Sequence, residues 1–399
     1  MYFQALDDKS ECVGVYKDGR LHFEDIPDGL LRTWRPGGLI DNDDIEYAWI
    51  LCEGKTLEQV CPSNLLDEYQ AIIRKMTAFY KSFKLAKLDF NEHCIFDLIP
   101  HDSLVHFCEM KNKITQHVFE TTEKPKNYDF MAHTSKLIHK IRYQALNIDM
   151  SDCKPLHVSS ANRVALKKIM QLEKYIDYNV YGTVTGRLTT NPGSFPILTM
   201  KKEFRKILKP QNDWFISLDY NGAEARTVLA LLGNPQPAVD IHEWNMQNIF
   251  HSQKFKPHPT RAEAKVMFFG WLYDPTSTAI DSKYYDRDAL VNAHYKNGSI
   301  STVFDRTIQV EQRKALNYLI QSTTSDLVLE QALRIDEFLK DKKSFISHIV
   351  HDELVLDMSN DERHLIPEIK DIFANNRLGD FMVNIQAGQN YYDLKELAL

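Results

Sequence analysis

The chain has 399 residues, of which 43% are hydrophobic and 26% charged, with a formal net charge of −7. That is ordinary globular composition, long enough for two or three subdomains with a real core, and no apolar run is long enough to span a bilayer. The acidic balance argues weakly against a polyanion as partner, yet "KKEFRKILK" (Lys201 to Lys209) concentrates five bases against one acid, so a local basic surface remains open.

The six cysteines (Cys12, Cys52, Cys61, Cys94, Cys108, Cys153) are scattered, form no C-x-x-C pair and all precede residue 154. Reduced thiols in a cytosol-like compartment are expected, not a zinc site or a disulfide framework. No charged-then-apolar segment opens the chain, so secretion is not expected either. Residues 1 to about 62 read as short strands and turns. "ECVGVYKDGRLHFE" places Asp18-Gly19 between two alternating runs, which predicts a hairpin. "WRPGG" then breaks the chain.

From about 64 to 89, apolar residues recur at helical spacing: Leu65, Tyr69, Ile72, Ile73, Met76, Phe79, Tyr80 and Phe83. A second long helix is predicted at about 129–148. These two basic amphipathic helices fit first an ordinary bundle with a solvated charged face, and second a projecting antiparallel pair. "WFISLDYN" (Trp214 to Asn221) is an apolar strand ending in a carboxylate, and "GAEARTVLALLG" (Gly222 to Gly233) is a helix with a Gly stop. Residues 260–273 and 310–340 read as helices, "ISHIVHDELVLDM" (Ile346 to Met358) as a strand pair, and "FMVNIQAGQNYYDL" as a further strand. Repeats and low-complexity segments are absent. The expected class is α+β, a small mixed or antiparallel sheet under helices.

Four constellations carry chemistry. Asp219 sits where a rigid strand end can hold a metal ligand, or simply act as a helix-capping acid. His351-Asp352-Glu353 would crest a tight hairpin, and one carboxylate from each of two neighbouring strands suits Mg²⁺, which completes its octahedron with water and phosphate; a polar turn is the plain alternative. Arg261, Lys265 and Phe269 lie at i, i+4 and i+8 and share a helix face, with Tyr273 one turn on. Two cations and an aromatic in one stripe suit a nucleoside triphosphate, or a basic surface stripe over a core ring. Arg313, Asn317 and Gln321 repeat the spacing with hydrogen-bond donors that suit a minor groove, or open solvent.

In this order the pieces resemble the family A DNA polymerases, the group typified by bacterial DNA polymerase I. The matching stretches are "TGRLTTNP" (Thr185 to Pro192), "LDYNGAEAR" (Leu218 to Arg226), "DIH" (Asp240 to His242), "RAEAKVMFFGWLY" (Arg261 to Tyr273), "RKALNYLIQSTTSDL" (Arg313 to Leu327) and "VHDELVLD" (Val350 to Asp357). The match covers roughly residues 175–399.

The resemblance implies a right-hand polymerase fold with an antiparallel-sheet palm (176–240 and 311–399), helical fingers (241–310) and a helical thumb (64–175), after a small β-rich module (1–63) of unassigned role. It implies Asp219 and Asp352 as ligands of two Mg²⁺ ions, with Mn²⁺ as a substitute and the Tyr220 carbonyl helping. Glu353 would support the ions without ligating them, and Lys265 would act as a general acid toward pyrophosphate. Arg261, Lys265 and His242 would hold the triphosphate, Phe269 would pack on the nucleotide, and Tyr273 would stand by the template base. Glu224 would exclude a 2′-hydroxyl. Arg187, Arg313, Asn317, Gln321 and His351 would contact primer–template DNA.

Some residues depart from the family pattern. "NGA" (Asn221 to Ala223) stands for S-Q-I before the gate glutamate, Asp274 stands for a Gly, "GSFPIL" replaces a Q-N pair, and the fingers are short. The amino-terminal region lacks a D-x-E strand, so no proofreading is expected in this chain. The whole looks phage-like, working in a bacterial or phage-infected cytoplasm without a membrane, alongside a separate exonuclease or replisome proteins. A single-subunit RNA polymerase, a metal-dependent phosphohydrolase and a non-catalytic DNA-binding relative are the competing readings.

Overall fold

The structure is a computed structural model that describes residues 1–8, 11–38, 40, 42, 44–90, 92–151, 158–172, 174–251, 258–280 and 282–398. The chain divides into two compact units, Met1–Ala145 and Leu146–Leu399.

In the first unit, strands Phe3–Asp8, Glu11–Lys17 and Arg20–His22 form an antiparallel sheet. The expected hairpin is present: Asp18 (φ 49) and Gly19 (φ 79) turn the chain with the two positive φ angles that make Asp-Gly a strong hairpin signal. Three long helices follow, Ser63–Leu85, His101–Thr121 and Tyr128–Arg142. The partner of Ser63–Leu85 is His101–Thr121, and not the helix predicted at about 129–148: Tyr69 and Ile72 pack on Met110 and Ile114. Leu104, Cys108, Ile114 and Val118 do give it a buried stripe, but its His, Thr, Ser and Cys residues mask the period. Leu6 and Tyr16 of the sheet bury against Ile99, Leu104 and Cys108, so strands and helices share one core.

The second unit is built on a five-stranded antiparallel sheet in the order Phe345–Val350, Glu353–Met358, Trp214–Tyr220, Val383–Gly388, Lys395–Glu396. The predicted α+β class with an antiparallel sheet holds. Period-two alternation sorts the central strand. Tyr220 points to the helical side, where its ring stacks on Phe373 of the Ile366–Ala374 helix at 4.3 Å and its hydroxyl donates to the Phe373 carbonyl at 2.7 Å. Ser217 and Asp219 point the other way, each level with a polar residue, Gln386 and Asn384, on the adjoining strand.

Beside the sheet, helices Ala223–Leu231, Ile241–Asn248, Arg261–Tyr273 and Gln312–Phe338 converge on a core that includes Val228, Phe250, Phe268, Trp271, Leu316 and Ile320. Within Thr185-Gly186-Arg187, Gly186 has φ +76, and a Cβ there would lie 2.7 Å from the Arg306 guanidinium. Arg306 makes two bonds to Asp326 of the long helix, at 2.9 and 2.7 Å, and the Ser325 hydroxyl donates to the Gly186 carbonyl at 3.1 Å. This loop–helix junction holds Arg187 in place. Among the described residues no helix is long and apolar enough to cross a membrane.

Asp326 is fully buried, so removing its charge alone leaves Arg306 uncompensated. Asp326→Asn should cost about 3–5 kcal/mol in urea unfolding, and the double change Asp326→Leu with Arg306→Met should cost less.

Candidate active site

Val350 pairs with Glu353, so His351 and Asp352 are the two residues of a tight hairpin loop. His351 has φ +59 while Asp352 does not share a positive φ. That is the pattern of a type II′ turn, whose first loop position favours Gly. A histidine there holds a left-handed backbone at a cost of about 1–2 kcal/mol.

Asp219 ends the central strand, level with Glu353 on one side and Asn384 on the other. Burial, with Asp352 and Glu353 adding repulsion, pushes its carboxyl up to about 7, against an Asn384 hydrogen bond and the Lys265 charge. Glu353 is engaged elsewhere: Ser217 Oγ donates to one of its oxygens at 2.6 Å and Tyr391 Oη to the other at 2.8 Å. The Tyr391 ring is boxed by Phe215, by His348 and by the Arg205 guanidinium.

A cavity of about 390 Å³ opens above Asp219 and Asp352. Arg187, Tyr220, Glu224, Gln321 and His351 line it, and Arg261, Lys265, Phe269, Tyr273 and His242 complete it. The sequence stripe on Arg261–Tyr273 is therefore one face turned to one cavity. The Thr260–Glu263 capping box starts that helix, and Phe269 stacks on Tyr273 at 5.8 Å.

Arg261 is bound to Asp240 at 3.0 and 2.5 Å. Burial alone would raise the Asp240 carboxyl, but Arg261, the Asn221 amide and the Glu243 N–H outweigh it and hold it well below the usual carboxylate range. Burial, assisted by Lys265 and Arg261, lowers His242 to about 4, so it offers a hydrogen bond there and not a charge. Lys265 is exposed and carries no ion pair among the described residues.

Glu224, in the first turn of its helix, accepts from Arg187 Nη2 at 2.5 Å and from Tyr273 Oη at 2.7 Å. Burial nevertheless raises its carboxyl above the usual range. The "NGA" departure has a physical content. Gly222 takes φ +66, and a Cβ on it would meet Ile241 Cγ2 at 2.3 Å. Asn221 donates to Asp240 at 2.8 Å and accepts from the Ile241 N–H at 2.8 Å, so the turn ties the strand end to the next helix.

Three expected residues lie off this cavity. Glu353 lines an adjoining one. Arg313, at the exposed start of its helix, pairs with Glu311 at 2.6 Å. Asn317 is half-buried, and its Oδ1 has no hydrogen-bond partner among the described residues. Asn384, Ser217 and Tyr391 join the site with no motif to mark them, and Asn221, part of the "NGA" departure, joins it as well. Only Asn221-Gly222, a turn dipeptide directly after the Asp219-Tyr220 strand end, offers a local signal.

No family model matches the chain. It is 24% identical over 267 residues to DNA polymerase I of Caldicellulosiruptor bescii, covering 54% of this chain and 31% of that protein. It is 23% identical over 295 residues to the DNA polymerase of Bacillus phage SP01, covering 56% and 32%. The chain thus spans about a third of the length of these relatives. Its fold aligns with the POL domain of Pol1 from M. smegmatis, solved in complex with DNA primer-template and dNTP, at a TM-score of 0.60 and 13% identity, covering 86% of this chain and 81% of that one. The chain is similar in sequence to DNA polymerase I and phage DNA polymerases, and in fold to a polymerase domain. The motifs that carry the resemblance run from Thr185 to Asp357, all in the second unit.

Two outcomes test this geometry. His351→Gly should stabilise the fold by about 1 kcal/mol in urea unfolding by relieving the left-handed turn. Because the Asp240 carboxyl lies lower in the folded state than in the unfolded chain, its stabilisation is present above the unfolded value of about 4 and is lost below it. The stability deficit of Asp240→Asn should be largest at neutral pH and shrink as the pH is taken below that value.

Proposed function

We propose that the chain is a template-directed DNA polymerase that adds deoxynucleotides to a primer 3′ end, in replication or repair of a phage or bacterium. One observation carries the reading: a single cavity collects a strand-end and a hairpin-loop aspartate, a helix stripe of two cations and two aromatics, and the Arg187–Glu224–Tyr273 network. The proposed partition makes the sheet the palm (176–240 and 311–399), residues 241–310 the fingers and 64–175 the thumb, with 1–63 an accessory module.

The donor set fits hard divalent cations. Asp219 is held with excess negative charge around it, a state that a cation relieves. Among the described residues no three His, Cys, Asp or Glu side chains gather as a closed cage, but Mg²⁺ needs only one or two carboxylates beside water and substrate phosphate. Asp219, Asp352 and the Tyr220 carbonyl would hold two ions, Mg²⁺ or Mn²⁺, whose charge would acidify the primer 3′-hydroxyl and offset that of the leaving pyrophosphate.

The chain's own residues do the rest. Arg261 and Lys265 neutralise the triphosphate, and neutral His242 donates a hydrogen bond to it. Phe269 packs on the base or sugar, and Tyr273 stands at the template side. As the primer 3′-oxygen gives up its proton to solvent and bonds to the α-phosphorus, the bond to pyrophosphate breaks and Lys265 Nζ passes a proton to the leaving group. Glu224, fixed between Arg187 and Tyr273, fills the space a 2′-hydroxyl would need. Arg187, Gln321, Asn317, Arg313 and His351 run from the cavity outward along the primer–template. Positioning and neutralisation, more than covalent chemistry, supply the catalysis.

The test is extension of a labelled primer with Mg²⁺ and either deoxy- or ribonucleotides. Asp219→Asn and Asp352→Asn should each lower extension by about 100-fold or more while the protein stays folded. Full activity in either variant removes the metal assignment, and equal use of ribonucleotides moves the reading to a single-subunit RNA polymerase.

A further inference from the structure

A second cavity, of about 460 Å³, adjoins the first along the polar face of the sheet, and the two share Asp219 and Asn384. Ser217, Glu353 and Gln386 lie on its sheet side, and the 3₁₀ segment Lys202–Ile207 contributes Lys202 and Arg205. Neutral hydroxyls, from Ser217 at 2.6 Å and Tyr391 at 2.8 Å, already satisfy the Glu353 oxygens, so neither cation is spent on that carboxylate. The Arg205 guanidinium lies 4.5 Å over the Tyr391 ring, and its buried Nε has no hydrogen-bond partner among the described residues. Lys202 is exposed and carries no ion pair among those residues. The basic stretch Lys201–Lys209, unusual in a chain of net charge −7, delivers two of its cations here.

Resting on the polymerase reading, we propose that this second cavity seats the terminal phosphodiester of the primer strand, with Lys202 and Arg205 as its charge partners. The triphosphate takes the side lined by Arg261 and Lys265, and the 3′-hydroxyl has to reach Asp219 and Asp352. The primer therefore arrives over the same sheet face from the opposite side, and the second cavity is the last ground it crosses. A phosphodiester offers two free oxygens and one negative charge, which suit one guanidinium, one ammonium and the Gln386 amide. Glu396, exposed on the Lys395–Glu396 strand and lining the same cavity, opposes that charge.

The experiment measures equilibrium binding and extension of a labelled primer–template by wild type, Lys202→Ala, Arg205→Met and Glu396→Gln. Each protein meets an all-phosphate primer and a primer whose terminal linkage is a neutral methylphosphonate. Lys202→Ala should weaken binding about ten-fold, as loss of a hydrogen bond to a charged group does. Glu396→Gln should tighten binding. The methylphosphonate should weaken wild type by a similar factor and cost Lys202→Ala little more, because the partner is already gone. Additive losses overturn the assignment, as does an unchanged Kd with a raised KM for the nucleotide. Arg205→Met keeps a stem over Tyr391; should it unfold, Lys202→Ala and the modified primer still decide. A wild-type protein that binds DNA without extending it sinks the polymerase reading, and the Kd pattern still judges the cavity. A wild-type protein that extends primers with a Kd indifferent to the terminal charge sinks only this inference.

Discussion

The pairing of Trp214–Tyr220 with Glu353–Met358 is the constraint on which the site rests. With Asp219 level with Glu353, Asp352 falls one residue further, in the loop, and the two aspartates meet at one edge of the sheet. A slip of a single residue would turn Asp219 into the helical layer and Leu218 out to the cavity. The apolar residues Ile216, Leu218, Leu354 and Leu356, all essentially buried, exclude that slip. The hydrophobic effect thereby fixes a polar geometry: acids are held close together because the strands beneath them cannot be arranged otherwise. The unfavourable charge balance at Asp219 follows from this, and so does the room for a cation.

Around that edge, side chains are held by one another before any ligand arrives. Glu224 is fixed by Arg187 and Tyr273, Asp240 by Arg261 and Asn221, and Glu353 by Ser217 and Tyr391. Each carboxylate thus has a defined direction, which is what a site that works by positioning requires. Only Asp219 and Asp352 are left facing the cavity without a cationic partner at bonding distance among the described residues.

Local pattern made much of this legible. The strand ending in Asp219, the hairpin of His351-Asp352-Glu353 and the helix stripe Arg261-Lys265-Phe269-Tyr273 each announce themselves through period two or period 3.6, and each stands where the pattern implied. What sequence spacing does not encode is who meets whom across the chain. Ser217 and Tyr391 reach Glu353 over 136 and 38 residues, and nothing local to any of them signals it. The helix His101–Thr121 was hidden for another reason: its stripe is interrupted by Ser103 and Thr115, buried polar residues that a hydrophobicity pattern counts as surface. Arg313 and Asn317 share a helix face with Gln321, but a straight helix climbs about 6 Å per four residues, so one cavity takes only the nearest of the three.

The Arg261–Asp240 pair has a consequence for selectivity. Arg261 already has a carboxylate partner in Asp240, so on the proposed reading triphosphate entry would be an exchange of anions and not the filling of an empty socket. A singly charged phosphate offers Arg261 no better bargain than Asp240 does. On the polymerase reading, a triphosphate would meet unpaired Lys265 at the same time and so would compete better for Arg261. On the polymerase reading proposed above, the helix face would act as an ion exchanger that favours ligands of higher valence.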